Sequence, residues 1–154
     1  MGLFDFLGGG EKLPKQTPFL KDYGDFVQMV GGSQATMYTA KHKPSGMQRV
    51  VKKVVPKDKN GRQRVLRELE ICLGLKEKHL IEYYGYEIKD DEFYILMEYF
   101  PGVSLRTFLR DALVIKNRKA PLLTGRNFLT VCLQSAQALS FVHQKGYLHL
   151  DVKP

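Results

Sequence analysis

Runs of β-branched and aromatic residues, separated by turns rich in glycine, proline and aspartate, predict five β-strands. The predicted strands span residues 26–30, 36–40, 49–55, 80–86 and 92–99. In the third strand successive side chains point to opposite faces, so Lys52 shares a face with Val50 and Val54. Burying an unpaired ammonium group is costly, so Lys52 on that apolar face needs an anionic partner. Two are available, Glu68 downstream and a phosphate ligand held by the glycines upstream. An edge strand with solvated Lys52 and Lys53 is the alternative.

Apolar residues at spacings of three and four predict three helices. The first predicted helix spans residues 60–75. The second is capped by Ser104 and continues to residue 113, and the third is capped by Thr124 and ends at Gly146. Glu68 borders the apolar stripe of the first helix and is the candidate partner for Lys52. A surface pair with Arg64, four residues earlier, is the alternative.

The turn between the first two strands contains Gly31, Gly32 and Ser33. Backbone N–H groups without side-chain cover can approach phosphate oxygens, which is one use of a glycine-rich loop. A plain hairpin turn explains the same residues. Residues 1–22 are interpreted as a leader that is either docked on the domain or flexible.

The composition is that of a soluble globular domain, with 44% hydrophobic and 26% charged residues in 154. No apolar run is long enough to span a bilayer, and the start lacks a signal-peptide pattern. Cys72 and Cys132 lie among apolar residues at helical spacing, which predicts free, buried thiols in a reducing compartment. The cytosol is therefore the expected location.

The net charge of +8 is concentrated in residues 41–67, where ten lysines and arginines face one acid, Asp58. Such a block is compatible with nucleic-acid binding or an acidic membrane surface. No aromatic residue is interleaved there, so the stacking platform of a single-strand binder is missing. A solvated basic edge that attracts an anionic ligand is favoured, and no nucleic-acid partner is expected.

From about Tyr23 to Pro154 the chain resembles the first half of a eukaryotic-type protein kinase domain. Five stretches carry the resemblance, in the family's order. They are the glycine loop at 30–38, Arg49-Val50-Val51-Lys52 (similar to Val-Ala-Ile-Lys), Arg67-Glu68-Leu69 on the helix, the hinge-like 94–102, and His149-Leu150-Asp151-Val152-Lys153-Pro154 (similar to His-Arg-Asp-Leu-Lys-Pro).

The resemblance implies an α+β fold: a kinase N-lobe at 23–100, with a five-stranded antiparallel sheet and one helix, and the start of a helical C-lobe at 101–154. It implies that the parent protein phosphorylates serine and threonine hydroxyls of proteins with ATP and Mg²⁺. Lys153, two residues after Asp151, is typical of the serine/threonine class.

Residue roles follow from the same resemblance. Lys52 would bridge the α- and β-phosphates of ATP and be held by Glu68, while Asp151 would accept the proton of the attacking hydroxyl and Lys153 would steady the transferred phosphoryl group. The remaining implied ATP contacts are the phosphate cover by Val30, Gly31, Gly32 and Ser33, the adenine walls Val30, Met37 and Val50, the gatekeeper Met97, the adenine-edge groups of Glu98 and Phe100, and Ser104 at the ribose.

Several positions depart from the family pattern. Val30 and Ala35 replace two family glycines, and Leu150 stands where arginine is usual. The family's Mg²⁺ ligands would lie beyond Pro154, so no metal ligand is assigned and this fragment is expected to be inactive by itself. The alternative function is a kinase-like module that serves as a binding or scaffold domain without catalysis.

Overall fold

The structure, a computed structural model, describes residues 14–29, 35–114 and 124–153. In that part of the chain a five-stranded sheet and one helix are followed by two further helices. The elements are β1 (Tyr23–Gln28), β2 (Thr36–His42), β3 (Gln48–Val54), α1 (Lys59–Gly74), β4 (Tyr83–Lys89), β5 (Glu92–Glu98), α2 (Leu105–Val114) and α3 (Gly125–Gln144). The predicted α+β class is confirmed.

The sheet is antiparallel throughout, in the order β1-β2-β3-β5-β4. β3 lies at its centre, with Lys52 opposite Met37 of β2 and opposite Ile95 of β5. Since directly opposed residues share a face, Lys52 lies on the same face as both. The central strand therefore offers one set of side chains to each face of the sheet.

One face of the sheet packs against α1, whose buried residues recur at helical spacing. The core on this inner face contains Val50, Val65, Leu69, Tyr86, Phe93, Ile95 and Met97. Asp58 begins α1 by accepting a hydrogen bond from the Gly61 N–H at 2.6 Å, which satisfies one unpaired donor of the first turn. The helix is thus fixed at its start and along the stripe that borders Glu68.

The other, outer face has a smaller core of Phe19, Ala40, Val51 and Leu96. Phe19 belongs to the stretch interpreted as a leader, and it is 4% exposed. Residues 14–20 lie along β4, where the Thr17 N–H donates to the Tyr86 carbonyl at 2.9 Å. Of the two alternatives for this stretch, its described part is in the docked arrangement.

The chain divides into two compact units, the first ending at Tyr99 and the second beginning at Phe100. In the second unit Thr124 caps α3 by accepting a hydrogen bond from the Asn127 N–H. Gly146 follows the helix with a φ of +82°, a conformation that glycine adopts without steric cost. Both predicted ends of α3 are therefore confirmed.

Part of α3 presents apolar side chains to solvent, including Phe128, Leu129 and Leu133. Cys132 lies between them and is also exposed. The prediction that both cysteines are buried is wrong for Cys132. Its apolar neighbours have the predicted helical spacing, but that face of α3 is not covered by the described residues of this chain.

Candidate active site

Lys52 and Glu68 form an ion pair between β3 and α1. The Lys52 Nζ donates a hydrogen bond to Glu68 Oε1 at 2.6 Å. About a fifth of each side chain is exposed, so the pair is largely shielded from water yet reachable from one side. Glu68 therefore turns inward to Lys52, and the predicted contact is confirmed.

Lys53 has a separate partner on the outer face. Its Nζ lies 2.7 Å from Glu92 Oε2, and the Tyr94 hydroxyl donates to the same oxygen at 2.6 Å. These two donors lower the pKa of Glu92, and the hydrogen bond to Glu92 raises the pKa of Lys53. The two adjacent lysines are thus committed to opposite faces, as the alternation predicted.

Apolar side chains surround the Lys52–Glu68 pair on the inner face. Val50 lies opposite Met97 in the register of β3 and β5, and both are buried. Met37, opposite Lys52, packs against the same core. The structure thus brings together three of the side chains predicted to contact ATP, next to the predicted phosphate-binding lysine.

The end of β5 is held by the segment that leads into β4. The Glu98 N–H donates to the Glu82 carbonyl at 2.8 Å, and the Glu82 N–H donates to Glu98 Oε2 at 3.2 Å. Two residues later, Phe100 is 70% exposed. The adenine contacts expected of Glu98 and Phe100 stay predictions.

The predicted phosphate loop falls outside the described residues: Val30, Gly31, Gly32 and Ser33 all belong to residues 30–34. Its two flanks are described, and the Met29 N–H donates to the Met37 carbonyl at 2.8 Å. Gln28 also pairs with Tyr38. The two chain segments that flank the loop are therefore hydrogen-bonded to each other. Met37, on the β2 side, is also the residue directly opposite Lys52 on β3.

Ser104 has a structural role that sequence reasoning also predicted. Its Oγ accepts a hydrogen bond from the Thr107 N–H at 3.1 Å and lies 3.0 Å from Thr107 Oγ1. It therefore caps α2. The ribose contact assigned to Ser104 would have to coexist with this cap.

Asp151 and Lys153 contact each other in the second unit, at 2.6 Å between Oδ2 and Nζ. The hydrogen bond from Lys153 lowers the pKa of Asp151, so its carboxylate is ionised at neutral pH. The Asp151 N–H donates to the His149 carbonyl at 2.8 Å. Between them Leu150 has a φ of +54°, a conformation costly for a bulky residue. This tight bend presents the Asp151 carboxylate to solvent.

The protein kinase domain family matches residues 25–154 of this chain. The chain belongs to this family. Proteins of this family in general use ATP with a divalent metal ion and act on protein substrates.

Named relatives of this kinase domain are serine/threonine kinases. Serine/threonine-protein kinase 4 homolog B of Dictyostelium discoideum is 32% identical over 84% of this chain and 11% of its own length. Serine/threonine-protein kinase ULK3 of Rattus norvegicus is 29% identical over 96% of this chain and 29% of its own length. Serine/threonine-protein kinase PAK mbt of Drosophila melanogaster is 28% identical over 84% of this chain and 19% of its own length. The chain thus spans between a tenth and three tenths of these relatives.

The donor set for a metal ion in this kinase domain is limited. Across the residues with described positions, no three His, Cys, Asp or Glu side chains cluster closely enough to hold a metal ion. We therefore assign no Mg²⁺ ligand in this stretch.

No helix among the described ones is long and apolar enough to cross a bilayer.

Sequence reasoning missed the proximity of buried Cys72 and partly buried Tyr83 beside Glu68. The Cys72 thiol, one turn after Glu68 on α1, interacts electrostatically with the Tyr83 hydroxyl at the start of β4. Burial, together with the charge of Glu68, raises the pKa of the Cys72 thiol to about 12. Burial likewise raises the pKa of Tyr83. The helical stripe placed Cys72 in the core, but no sequence signal linked it to Tyr83.

Thiol labelling should distinguish the two cysteines of this kinase domain. At pH 8 iodoacetamide is expected to modify Cys132, which is exposed, and to leave Cys72 unmodified because almost none of it is thiolate. Intact-mass and peptide mass spectrometry of the native chain measure both. Cys72 should react only after denaturation, and rapid labelling of native Cys72 would contradict its burial.

Proposed function

We propose that this kinase domain segment binds ATP on the inner face of its sheet. We also propose that the whole protein transfers the γ-phosphoryl group to serine or threonine hydroxyls of protein substrates. The observation that carries the proposal is the 2.6 Å pair between Lys52 and Glu68. An ammonium group held by one carboxylate and open on another side is suited to bind phosphate oxygens.

The walls of the proposed nucleotide site come from side chains around this pair. Met37, Val50 and Met97 supply apolar surface for adenine, and all three lie on or against the inner core. The Glu98 carbonyl and the Phe100 amide would bind the edge of the base. Val30, Gly31, Gly32 and Ser33 would cover the phosphates with backbone N–H groups, and Ser104 would meet the ribose.

In the second unit we assign the proton transfer to Asp151. Its ionised carboxylate would orient the substrate hydroxyl and accept its proton, while Lys153 would stabilise charge on the transferred group. When bound, Mg²⁺ would neutralise charge on the phosphates. Since no ligand set for it lies in the described residues, this chain alone is proposed to bind ATP without completing catalysis. Its two free cysteines suit a reducing compartment such as the cytosol.

A second candidate function is a kinase-like binding module without catalysis. Leu150 in place of arginine favours it, as do Val30 and Ala35 in place of glycines in the phosphate loop. Nucleic-acid binding is disfavoured because four of the ten basic residues in the block pair with carboxylates of this chain. Acidic partners lie beside Lys52, Lys53, Arg62 and Arg67.

Calorimetric titration of ATP, with and without Mg²⁺, tests the proposal on the wild type and on Lys52→Ala. The substitution should weaken ATP binding about tenfold or more, because a charge-assisted hydrogen bond to phosphate is lost. Lys53→Ala is the matched control, since Lys53 belongs to the other face and pairs with Glu92. Equal affinities for the wild type and Lys52→Ala would remove the phosphate role of Lys52.

A further inference from the structure

Residues 14–20, here called the N-terminal strap, lie outside the stretch that matches the kinase family. They bind β4, an edge strand of the sheet, through five hydrogen bonds, of which two are made by the Glu87 side chain. The Tyr86 hydroxyl donates to the Pro14 carbonyl at 2.8 Å, and the Thr17 N–H donates to the Tyr86 carbonyl at 2.9 Å. The Ile88 N–H donates to Gln16 Oε1 at 3.0 Å. The strap thus occupies hydrogen-bonding groups that an edge strand otherwise exposes.

The strap is latched by Glu87 and anchored by Phe19. Glu87 Oε2 accepts hydrogen bonds from the Phe19 N–H at 2.7 Å and from the Leu20 N–H at 2.9 Å. The Phe19 ring enters the outer core with Ala40, Val51 and Leu96. The Glu87 carboxylate therefore orients the backbone at residues 19–20, and this orientation places the Phe19 ring in the outer core.

The strap and the proposed nucleotide site share two strands. Val51 and Leu96, which contact the strap side, directly precede Lys52 and Met97, which face the nucleotide side. Because both pairs belong to β3 and β5, a change in the packing of one face displaces backbone that carries the other. The outer core thus gives a physical route between the two faces.

The docked state of the strap depends on one buried side chain and on hydrogen bonds along β4. Within residues 14–20 only Phe19 is buried, and residues 15–18 are exposed. Ordering the strap costs conformational entropy at every residue, while a single side chain supplies the main apolar gain. The ordering cost therefore offsets part of the stabilisation from docking, which is the kind of balance that a two-state element requires.

We propose that the strap is an allosteric lock for nucleotide binding. Docked, it holds β3 and β5 in the arrangement that binds ATP, and its release weakens that binding. The proposal rests on the proposed nucleotide site. Since coupling between two binding events is reciprocal, ATP must strengthen strap docking by the same factor. In a chain that is already fully folded, a segment that only stabilises the fold would show no coupling to ATP binding.

The test uses the full chain with Phe19→Ala, which removes the anchor, and a fluorescent peptide of residues 14–22 supplied separately. We expect the peptide to bind about fivefold tighter with saturating ATP than without it. The wild type should likewise bind ATP about fivefold tighter than Phe19→Ala does. Adding the peptide should restore the ATP affinity of Phe19→Ala. Fluorescence anisotropy and calorimetry measure the two affinities.

A peptide that binds equally well with and without ATP, or does not bind, overturns the lock while the nucleotide proposal stands. A wild type that does not bind ATP overturns the proposed function and the lock together. Should Phe19→Ala fail to fold, Glu87→Gln in the full chain removes only the charge of the latch, and it must also weaken ATP binding. Asp90→Asn, in the β4–β5 turn, is the matched control for loss of one negative charge and must leave ATP affinity unchanged.

Discussion

Replacing Phe93 by alanine is expected to destabilise the first unit by about 3–5 kcal/mol. Phe93 is fully buried in β5, opposite Val54 and Ile88. Its ring stacks on Tyr86 with centroids 6.3 Å apart. Alanine would leave a cavity that these side chains cannot fill without moving strands on both sides. Urea unfolding followed by circular dichroism gives the free energy of unfolding.

Phe128→Ala is the matched control, the same substitution at a phenylalanine that is 54% exposed on α3. It should change the free energy of unfolding by less than about 1 kcal/mol, since little apolar contact is lost and alanine favours helix. If Phe128→Ala lowered the free energy of unfolding as much as Phe93→Ala does, α3 would have to be covered by contacts that the described residues do not include.

Replacing Glu68 by alanine is expected to cost about 1–3 kcal/mol, because it leaves the Lys52 ammonium group largely shielded without its partner. The same substitution in a Lys52→Ala background should cost less, since no stranded charge remains. The difference between the two costs is the coupling energy of the pair, measured by a double-mutant cycle of urea unfolding. Additive effects would show that the pair contributes nothing beyond its separate side chains.

The central part of the fold follows from the sequence because local and tertiary preferences agree there. Alternation alone separates Lys52 from Lys53, and the stripe of α1 alone brings Glu68 to the buried side. Both patterns favoured the pair but left an alternative open, and the packing of α1 against the sheet decides for the 2.6 Å contact. The cap residues Ser104 and Thr124 were likewise predictable, because capping depends on local backbone geometry.

Strand ends were less predictable. β4 begins at Tyr83 rather than at residue 80, because the Leu80 N–H is used in a turn with the Glu77 carbonyl. β1 begins at Tyr23 rather than at residue 26, since pairing with His42 extends it across an irregularity at Asp25, whose φ is +52°. Both depend on partners distant in sequence, which periodicity does not report.

Docking of the N-terminal strap could not be derived from the sequence. Phe19 is one aromatic residue without periodic neighbours, and its burial depends on a pocket formed by three strands. The interaction between Cys72 and Tyr83 is similar, since it joins a helix to a strand eleven residues later. In both cases the tertiary fold creates the contact, and the local sequence carries no trace of it.

Lys52 and Lys53 point to opposite faces of the sheet and pair with different carboxylates. This arrangement limits where the chain can lose or gain a residue. Deleting one residue from β3, either Arg49 or Val50, would shift each following residue of the strand to the opposite face of the sheet. Lys53 would then point toward Glu68, and Val51 would leave the outer core. The same deletion in the turn between β2 and β3, where Gly46 has a φ of +71°, would alter only a loop. Length variation among homologous chains should therefore collect in that turn and be absent from the strand beside it.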